Sequence, residues 1–177
     1  DRNGVYGIVE AYTQAKSLGV HLITGAELKL TNHKRVILLA RNRAGYTSLC
    51  RLISESRPKK KGDDVLLESD HIAKHSKGLT VLIADPLAEK DIHTLKSALH
   101  NHVWSIIARH QQAGDVVHEK EMHLFSKRYD LSKVATTEIL YHHESYQPLQ
   151  DVLTCIRYGL SIYEAGTRLR SNDQHAF

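Results

Sequence analysis

The sequence predicts an α/β domain with a mostly parallel sheet, open or closed into a barrel. Three observations predict it. The runs RVILLA at 35–40, LTVLIA at 79–84 and VWSIIA at 103–108 are short, continuous and apolar, as strands buried on both faces are. Longer segments with helical spacing of apolar residues lie between them. Strand-like and helix-like segments alternate along the chain, as βα units require.

Each element has its own warrant. Positions 8–17 read as a helix, with Ile8, Ala11, Tyr12, Ala15 and Leu18 on one face and Gly19 as its C-terminal stop. Positions 20–24 read as a short buried strand, Gly25 breaks it, and 27–30 continue as a second extended piece. Strand 35–40 is the clearest in the chain. A helix follows over 43–56, with Tyr46, Leu49, Cys50, Leu52 and Ile53 turned inward. The basic stretch Arg57-Pro58-Lys59-Lys60-Lys61-Gly62 reads as a loop. Ser69 or Asp70 caps a short helix to position 75. Strand 79–84, helix 88–100, strand 103–108, helix 115–127 and strand 133–136 complete the alternation. Pro148 opens a last helix to position 158, because proline suits a first helical turn.

Composition narrows the function classes. Among 177 residues, 41% are hydrophobic, enough for a core and too many for a disordered chain. No apolar run has the length of a membrane span, and the N-terminus does not read as a signal peptide. Cys50 and Cys155 form no CxxC pair, so they read as reduced thiols of a cytoplasmic protein. A net charge of +4 is compatible with nucleic acid without requiring it. No nucleotide-binding glycine loop or nucleophile elbow is present.

Thirteen histidines invite a metal hypothesis. In a parallel sheet the residues to interrogate follow each apolar run. His100 and His102 precede strand 103–108, the wrong end for such a site. His71 and His75 share a helix face, but no glutamate base lies between them. His142 and His143 follow the late strand, where His142 could lend one ligand. Arg109 and His110 follow strand 103–108 at the functional end. Arg109 is a candidate phosphate contact, with pairing to Glu27 or Glu138 as its structural alternative. Lys59 and Lys60 are candidate contacts to a DNA backbone, a role that needs charge alone.

Several segments, in order, carry a family resemblance. Asp1-Arg2-Asn3-Gly4-Val5-Tyr6-Gly7 resembles the Thr-Asp-His-Gly-x-x-x-Gly turn of PHP domains in bacterial polymerase alpha subunits. Gly25-Ala26-Glu27 is similar to their Gly-x-Glu motif. Val36 to Asn42 with Gly45, Tyr46 and Leu49 resembles the stretch after it. Val134-Ala135-Thr136-Thr137-Glu138 resembles their Val-Ala-Thr-Asn-Asp segment. Pro148 to Arg157 is closest to the error-prone branch. The resemblance implies a PHP-type seven-stranded β/α barrel whose first strand, with its His-x-His motif, would lie before Asp1. It implies a PHP domain over 1–160 and a connection to a polymerase core over 161–177.

The departures from the family pattern bear on chemistry. Metal-assisted phosphoester hydrolysis needs His and carboxylate ligands converging on one mouth. By the resemblance, Arg2 and Arg35 stand where the family has histidines, and Glu138 and Leu140 replace an Asp-x-His pair. Arginine keeps its proton and offers no lone pair, and leucine offers no donor. Asp1, Glu27 and Glu138 remain as vestigial ligands. The expectation is that arginines face Asp1 and Glu27 and fill the vacated mouth with salt bridges.

Two readings follow from the resemblance. In the first, the chain is a metal-depleted structural module of an error-prone DNA polymerase active in translesion synthesis and repair. It holds no cofactor, the parent enzyme uses magnesium, and its partners are the rest of the polymerase, DNA, and replication or repair proteins. In the second, it is an active metal-dependent phosphoesterase, a 3′–5′ exonuclease or pyrophosphatase, with residual manganese or zinc. A stand-alone partner-binding domain is a third class.

Overall fold

A computed structural model describes residues 1–57 and 66–176. Lys59 and Lys60 therefore lie outside the described residues. The elements in chain order are α1 (Ile8–Leu18), β1 (Gly25–Leu30), β2 (Arg35–Ala40), α2 (Arg43–Glu55), β3 (Leu66–Leu67), α3 (Ser69–Lys74), β4 (Leu79–Ile83), α4 (Glu89–Leu99), β5 (Val103–Ile107), α5 (Asp115–Arg128), β6 (Ser132–Ala135) and α6 (Gln147–Tyr158). The six strands form one sheet in the order β3-β1-β2-β4-β5-β6.

The sheet is mixed, not mostly parallel. β2 is antiparallel to both β1 and β4, whereas β1 pairs with β3, and β4 with β5, in parallel. The physical reason lies in the connection from β1 to β2. Thr31, Asn32, His33 and Lys34 are too few for a parallel crossover. They make a tight turn in which Leu30 N–H donates to the Lys34 carbonyl at 2.8 Å and His33 adopts φ 61°.

Strand alternation puts one face in the core. Ala26, Leu28 and Leu30 of β1 align with Val36 and Leu38 of β2 and with Leu79, Val81 and Ile83 of β4, and all are buried. Leu49, Leu52 and Ile53 of α2 and Ile92, Leu95 and Leu99 of α4 are also buried; α2 packs on β2 and β4, and α4 on β4. Each fully buried leucine or isoleucine contributes about 1.5–3 kcal/mol of transfer free energy. The opposite face, with Glu27, Ile37, Leu39 and Leu82, is only half-buried. The expectation that β2 is covered on both faces therefore fails: its outer residues keep partial contact with solvent.

Two other expectations differ. Positions 20–24 make no strand, and Val20 and Ile23 are exposed, so the apolar run alone did not secure a partner. Helix α1 forms as expected, with Gly19 at φ 67° ending it, but none of its residues is buried. Tyr46 of α2 is also exposed and Cys50 only partly buried. Both cysteines are free.

The α2 N-terminus is fixed by close packing. Asn42 caps the helix by accepting from Gly45 N–H at 3.0 Å. Gly45 lies directly on the carbonyl of Gly78, which itself has φ +74°. Ser48 Oγ donates to the Lys77 carbonyl at 2.9 Å beside them.

The chain divides into two compact units. The first comprises Asp1–Ile106 and Leu124–Val134, and the second Ile107–His123 and Ala135–Phe177. In the first, Ser105 is wholly buried and its hydroxyl shares a 2.6 Å hydrogen bond with Ser126, so the buried polar group is satisfied. In the second, α6 starts with Pro148 in its first turn, ends at Gly159 with φ 64°, and buries only Cys155. No described helix is long and apolar enough to cross a membrane.

Candidate functional site

In the first unit, Arg2 and Arg35, the two arginines at the family's histidine positions, each pair with a carboxylate. Residues 1–3 run beside β1: Glu27 N–H donates to the Asp1 carbonyl at 2.9 Å, and Asn3 N–H to the Glu27 carbonyl at 2.8 Å. This register sets Arg2 against Glu27, with Nε 3.1 Å from Oε1. Asp1 Oδ2 accepts from Gly7 N–H at 3.0 Å and closes the intervening turn. Arg2 thus meets Glu27 as the sequence suggests.

Arg35 does not join them. It makes a two-pronged pair with Asp85, Nε–Oδ2 at 3.0 Å and Nη2–Oδ1 at 3.2 Å, and its own N–H donates to Oδ2 at 2.9 Å. The antiparallel register explains the choice. Val36 lies opposite Ile83, so the start of β2 meets the residues just after β4. Asp85 was missed, although it directly follows the LTVLIA run where functional residues are sought. The planar fork of arginine fits a carboxylate in this geometry, which lysine could not reproduce.

The second unit organises around Glu138. Arg170 Nη2 donates to Glu138 Oε2 at 2.6 Å. His175 is wholly buried, and its Nδ1 lies 2.9 Å from the Glu138 carbonyl oxygen. Glu138 N–H donates to His110 Nε2 at 3.0 Å. The His110 and His175 rings stack with centroids 4.2 Å apart and planes 13° from parallel. In these bonds His110 accepts at Nε2, and His175 donates at Nδ1. Leu140 serves through its backbone, donating to the His175 carbonyl at 2.9 Å.

Asp115 and Asn172 secure the loop after β5. Asp115 Oδ2 accepts from His110 N–H at 2.6 Å and Gln112 N–H at 3.2 Å. Burial would raise the Asp115 pKa, but these donated bonds outweigh it and hold the carboxyl below its ordinary value. Asn172 Nδ2 donates to the His110 carbonyl at 2.7 Å. Arg109 pairs with neither Glu27 nor Glu138. It grips Glu119 of α5 at 2.6 and 3.0 Å, and that hydrogen bond holds the Glu119 carboxyl below its ordinary range. As a phosphate contact Arg109 would first have to release Glu119.

The other histidines have local roles. His75 Nε2 lies 3.1 Å from Glu55 Oε2, and His71 Nδ1 accepts from Glu68 N–H at 3.4 Å. His143 caps the short turn at Ser145, and His142 packs on Tyr146. His100 and His102 lie in a single 3-10 turn before β5.

The three carboxylates that the resemblance assigns to metal have other partners. Glu27 and Glu138 are each engaged by a guanidinium, and Asp1 by a backbone N–H. Among the described residues, no three His, Cys, Asp or Glu side chains converge as a metal-binding group. Arg170 and His175 escaped sequence reading because their partners lie 32 and 37 positions away.

The second unit should be acid-sensitive. Burial first, and then the adjacent His175, hold the His110 pKa below its ordinary 6.5; Arg170 acts in the same sense, and Asp115 and Glu138 oppose them. Protonation therefore favours the unfolded chain. Stability from His110 is complete above 6.5 and is lost as pH falls through that value and below. Asp151, whose pKa burial raises, contributes with the opposite sign. Protection factors at residues 136–176, that is, exchange rates corrected for the intrinsic pH dependence of amide exchange, should therefore fall on acidification from about pH 7.5 to about pH 5.5. His110→Gln should flatten that dependence, and an equal response in the variant would refute the assignment.

Comparison with known proteins follows the same lines. Residues 1–146 match the family described as "PHP domain". The chain is 34% identical to an error-prone DNA polymerase of Anaeromyxobacter dehalogenans, across 97% of this chain and 16% of that protein. It is 30% identical to error-prone DNA polymerase 1 of Agrobacterium fabrum, across 99% of this chain and 16% of that protein. With the error-prone DNA polymerase of Pseudomonas fluorescens it shares 32% identity across 95% of this chain. The chain thus spans about one sixth of the length of these relatives. A crystal structure of a candidate metal-dependent phosphoesterase from Bifidobacterium adolescentis superposes with a TM-score of 0.50 at 10% identity, covering 77% of this chain and 74% of that one. At that identity the likeness concerns the fold alone.

Proposed function

Because this chain belongs to the PHP domain family, we propose that it is the PHP module of an error-prone DNA polymerase and that its role there is structural. In this reading the parent enzyme extends DNA across lesions with magnesium supplied elsewhere. The rest of the polymerase, DNA, and replication or repair proteins are its partners in the cytoplasm. The names of the relatives support the polymerase assignment.

The observation that carries the structural role is the Arg2–Glu27 pair at 3.1 Å. The guanidinium neutralises the carboxylate that a metal would otherwise use. A divalent cation approaching Glu27 would also face a fixed positive charge, a repulsion of roughly 4 kcal/mol per unit charge at 4 Å and an effective dielectric of 20. Arginine cannot relieve this by losing its proton.

Metal analysis of the chain after incubation with manganese and zinc, followed by desalting, tests the reading. The expected result is far less than one equivalent retained, with no release of nucleotides from a 3′ end and no pyrophosphate hydrolysis. Stoichiometric metal with either activity would overturn it in favour of an active phosphoesterase. Arg2→Ala should restore no activity, because removing the cation supplies no ligand.

A further inference from the structure

A cavity of about 490 Å³ lies at the end of β2 remote from the Arg35–Asp85 pair. Leu39 of β2, which pairs with Gly25 and Thr80, marks this end of the sheet. Two kinds of surface meet there. Leu22, Ile23, Leu39 and Ala40 give an apolar wall, with the exposed ring of Tyr46 beside it, and Arg41 and Arg43 supply positive charge. Among the described residues no carboxylate lines the cavity. Among the described residues no carboxylate pairs with either guanidinium, in contrast to Arg2, Arg35, Arg109 and Arg170. Two arginines without a counter-charge among the described residues, beside a concave apolar wall, call for an anion with an apolar body.

The backbone beneath is rigid. Ala40 N–H donates to the Thr24 carbonyl at 2.8 Å, and Arg41 N–H to the Gly78 carbonyl at 2.9 Å. Asn42 caps α2 on the Gly45 amide at 3.0 Å. That first-turn amide is therefore already used, and the guanidinium groups supply the full charges for an anion.

We propose that this cavity binds a nucleoside phosphate unit, its phosphate held by Arg41 and Arg43 and its base laid on Tyr46 and the Ile23 wall. The volume falls within the roughly 300–1,000 Å³ of small-molecule sites. Guanidinium groups bind phosphate through charge-assisted, often two-pronged hydrogen bonds. A base stacks on an aromatic ring whatever its identity, so the site selects nucleotide over sequence. Inorganic phosphate would use the arginines and leave the apolar wall idle. The inference does not depend on how the metal-ligand positions are filled, since the cavity lies at the other end of β2 from Arg35.

The unit has two sources, a free nucleotide or a single strand of DNA. Calorimetric titration of the 177-residue chain at low salt with deoxyadenosine monophosphate, a short oligodeoxythymidylate and inorganic phosphate distinguishes them. Saturable binding of either nucleotide probe is expected, weakened about tenfold or more in R41Q/R43Q as two charge-assisted contacts are lost. Tyr46→Ala should weaken the nucleotide probes and leave inorganic phosphate unaffected. Tighter, more salt-dependent binding of the oligonucleotide identifies a strand, and equal affinity identifies the single nucleotide. Absence of saturable binding by the wild-type chain, or equal binding by R41Q/R43Q with an unchanged circular dichroism spectrum, overturns the proposal.

Discussion

Gly45→Ala is expected to lower the melting temperature by roughly 10 °C, on the order of 3 kcal/mol for a chain of this size. A Cβ at Gly45 would overlap the carbonyl oxygen of Gly78 and press on the Ala40 backbone at 3.3 Å. Both obstacles are main chain, so no side-chain rotation relieves them. The Gly78 carbonyl is also engaged, accepting from Arg41 N–H at 2.9 Å, so moving it costs a hydrogen bond. Backing α2 away would instead open the core around Leu49 and Leu52, both wholly buried. Gly114→Ala is the internal control. Nothing lies within 4 Å of its Cβ position, so a small stabilisation through the unfolded state is expected. Thermal melts of both variants check the argument, and equal melting temperatures would refute the close approach.

This contact also shows where sequence reading stops. The segments Arg35–Ala40, Leu79–Ile83 and Val103–Ile107 were legible because a continuous apolar run is a local signal. Helix α2 was legible from spacing and α6 from Pro148, and 88–100 and 115–127 were read as the helices that form α4 and α5. Strand direction was not legible in that way. The antiparallel setting of β2 follows from a four-residue turn, read as a gap between two extended pieces and not as a hairpin. Positions 20–24 show the reverse error. Val20, Leu22 and Ile23 have strand-like chemistry, but a strand exists only when another strand accepts its hydrogen bonds. Likewise the apolar face of α1 was read correctly, yet no periodicity states whether a face is covered.

The candidate site divides in the same way. Arg2 and Glu27 could be read together because the family resemblance assigned both positions to one mouth. Their 3.1 Å pairing follows from the parallel run of residues 1–3 beside β1. Asp85 and His110 were within reach of the rule that functional residues follow apolar runs, since each lies at or within a few residues of the end of one. Arg170 and His175 were beyond it. They follow α6 in a segment with no periodicity, and only the folded chain shows Arg170 and His175 converging on Glu138.

His175→Ala is therefore expected to destabilise the second unit by about 3 kcal/mol, more than any exposed substitution in it. The imidazole is wholly buried, stacked on His110 and bonded to the Glu138 carbonyl at 2.9 Å. Truncation removes those contacts, leaves a cavity and takes one hydrogen bond from a part-buried carbonyl, a loss on the order of 1 kcal/mol. It also frees the backbone that Leu140 and Tyr141 pair with at His175 and Ala176. His175→Phe separates these effects, because phenylalanine keeps a stacking ring but cannot donate to Glu138. The phenylalanine variant should recover the packing part of the loss and retain the hydrogen-bond part, falling between wild type and alanine. Hydrogen exchange should show faster opening at residues 138–141 and 170–176 in both variants, with the β1, β2 and β4 amides unchanged. If alanine leaves exchange in those segments at the wild-type rate, the buried histidine is not what fastens them. A phenylalanine variant as unstable as the alanine one would assign the loss to the hydrogen bond and not to the stack.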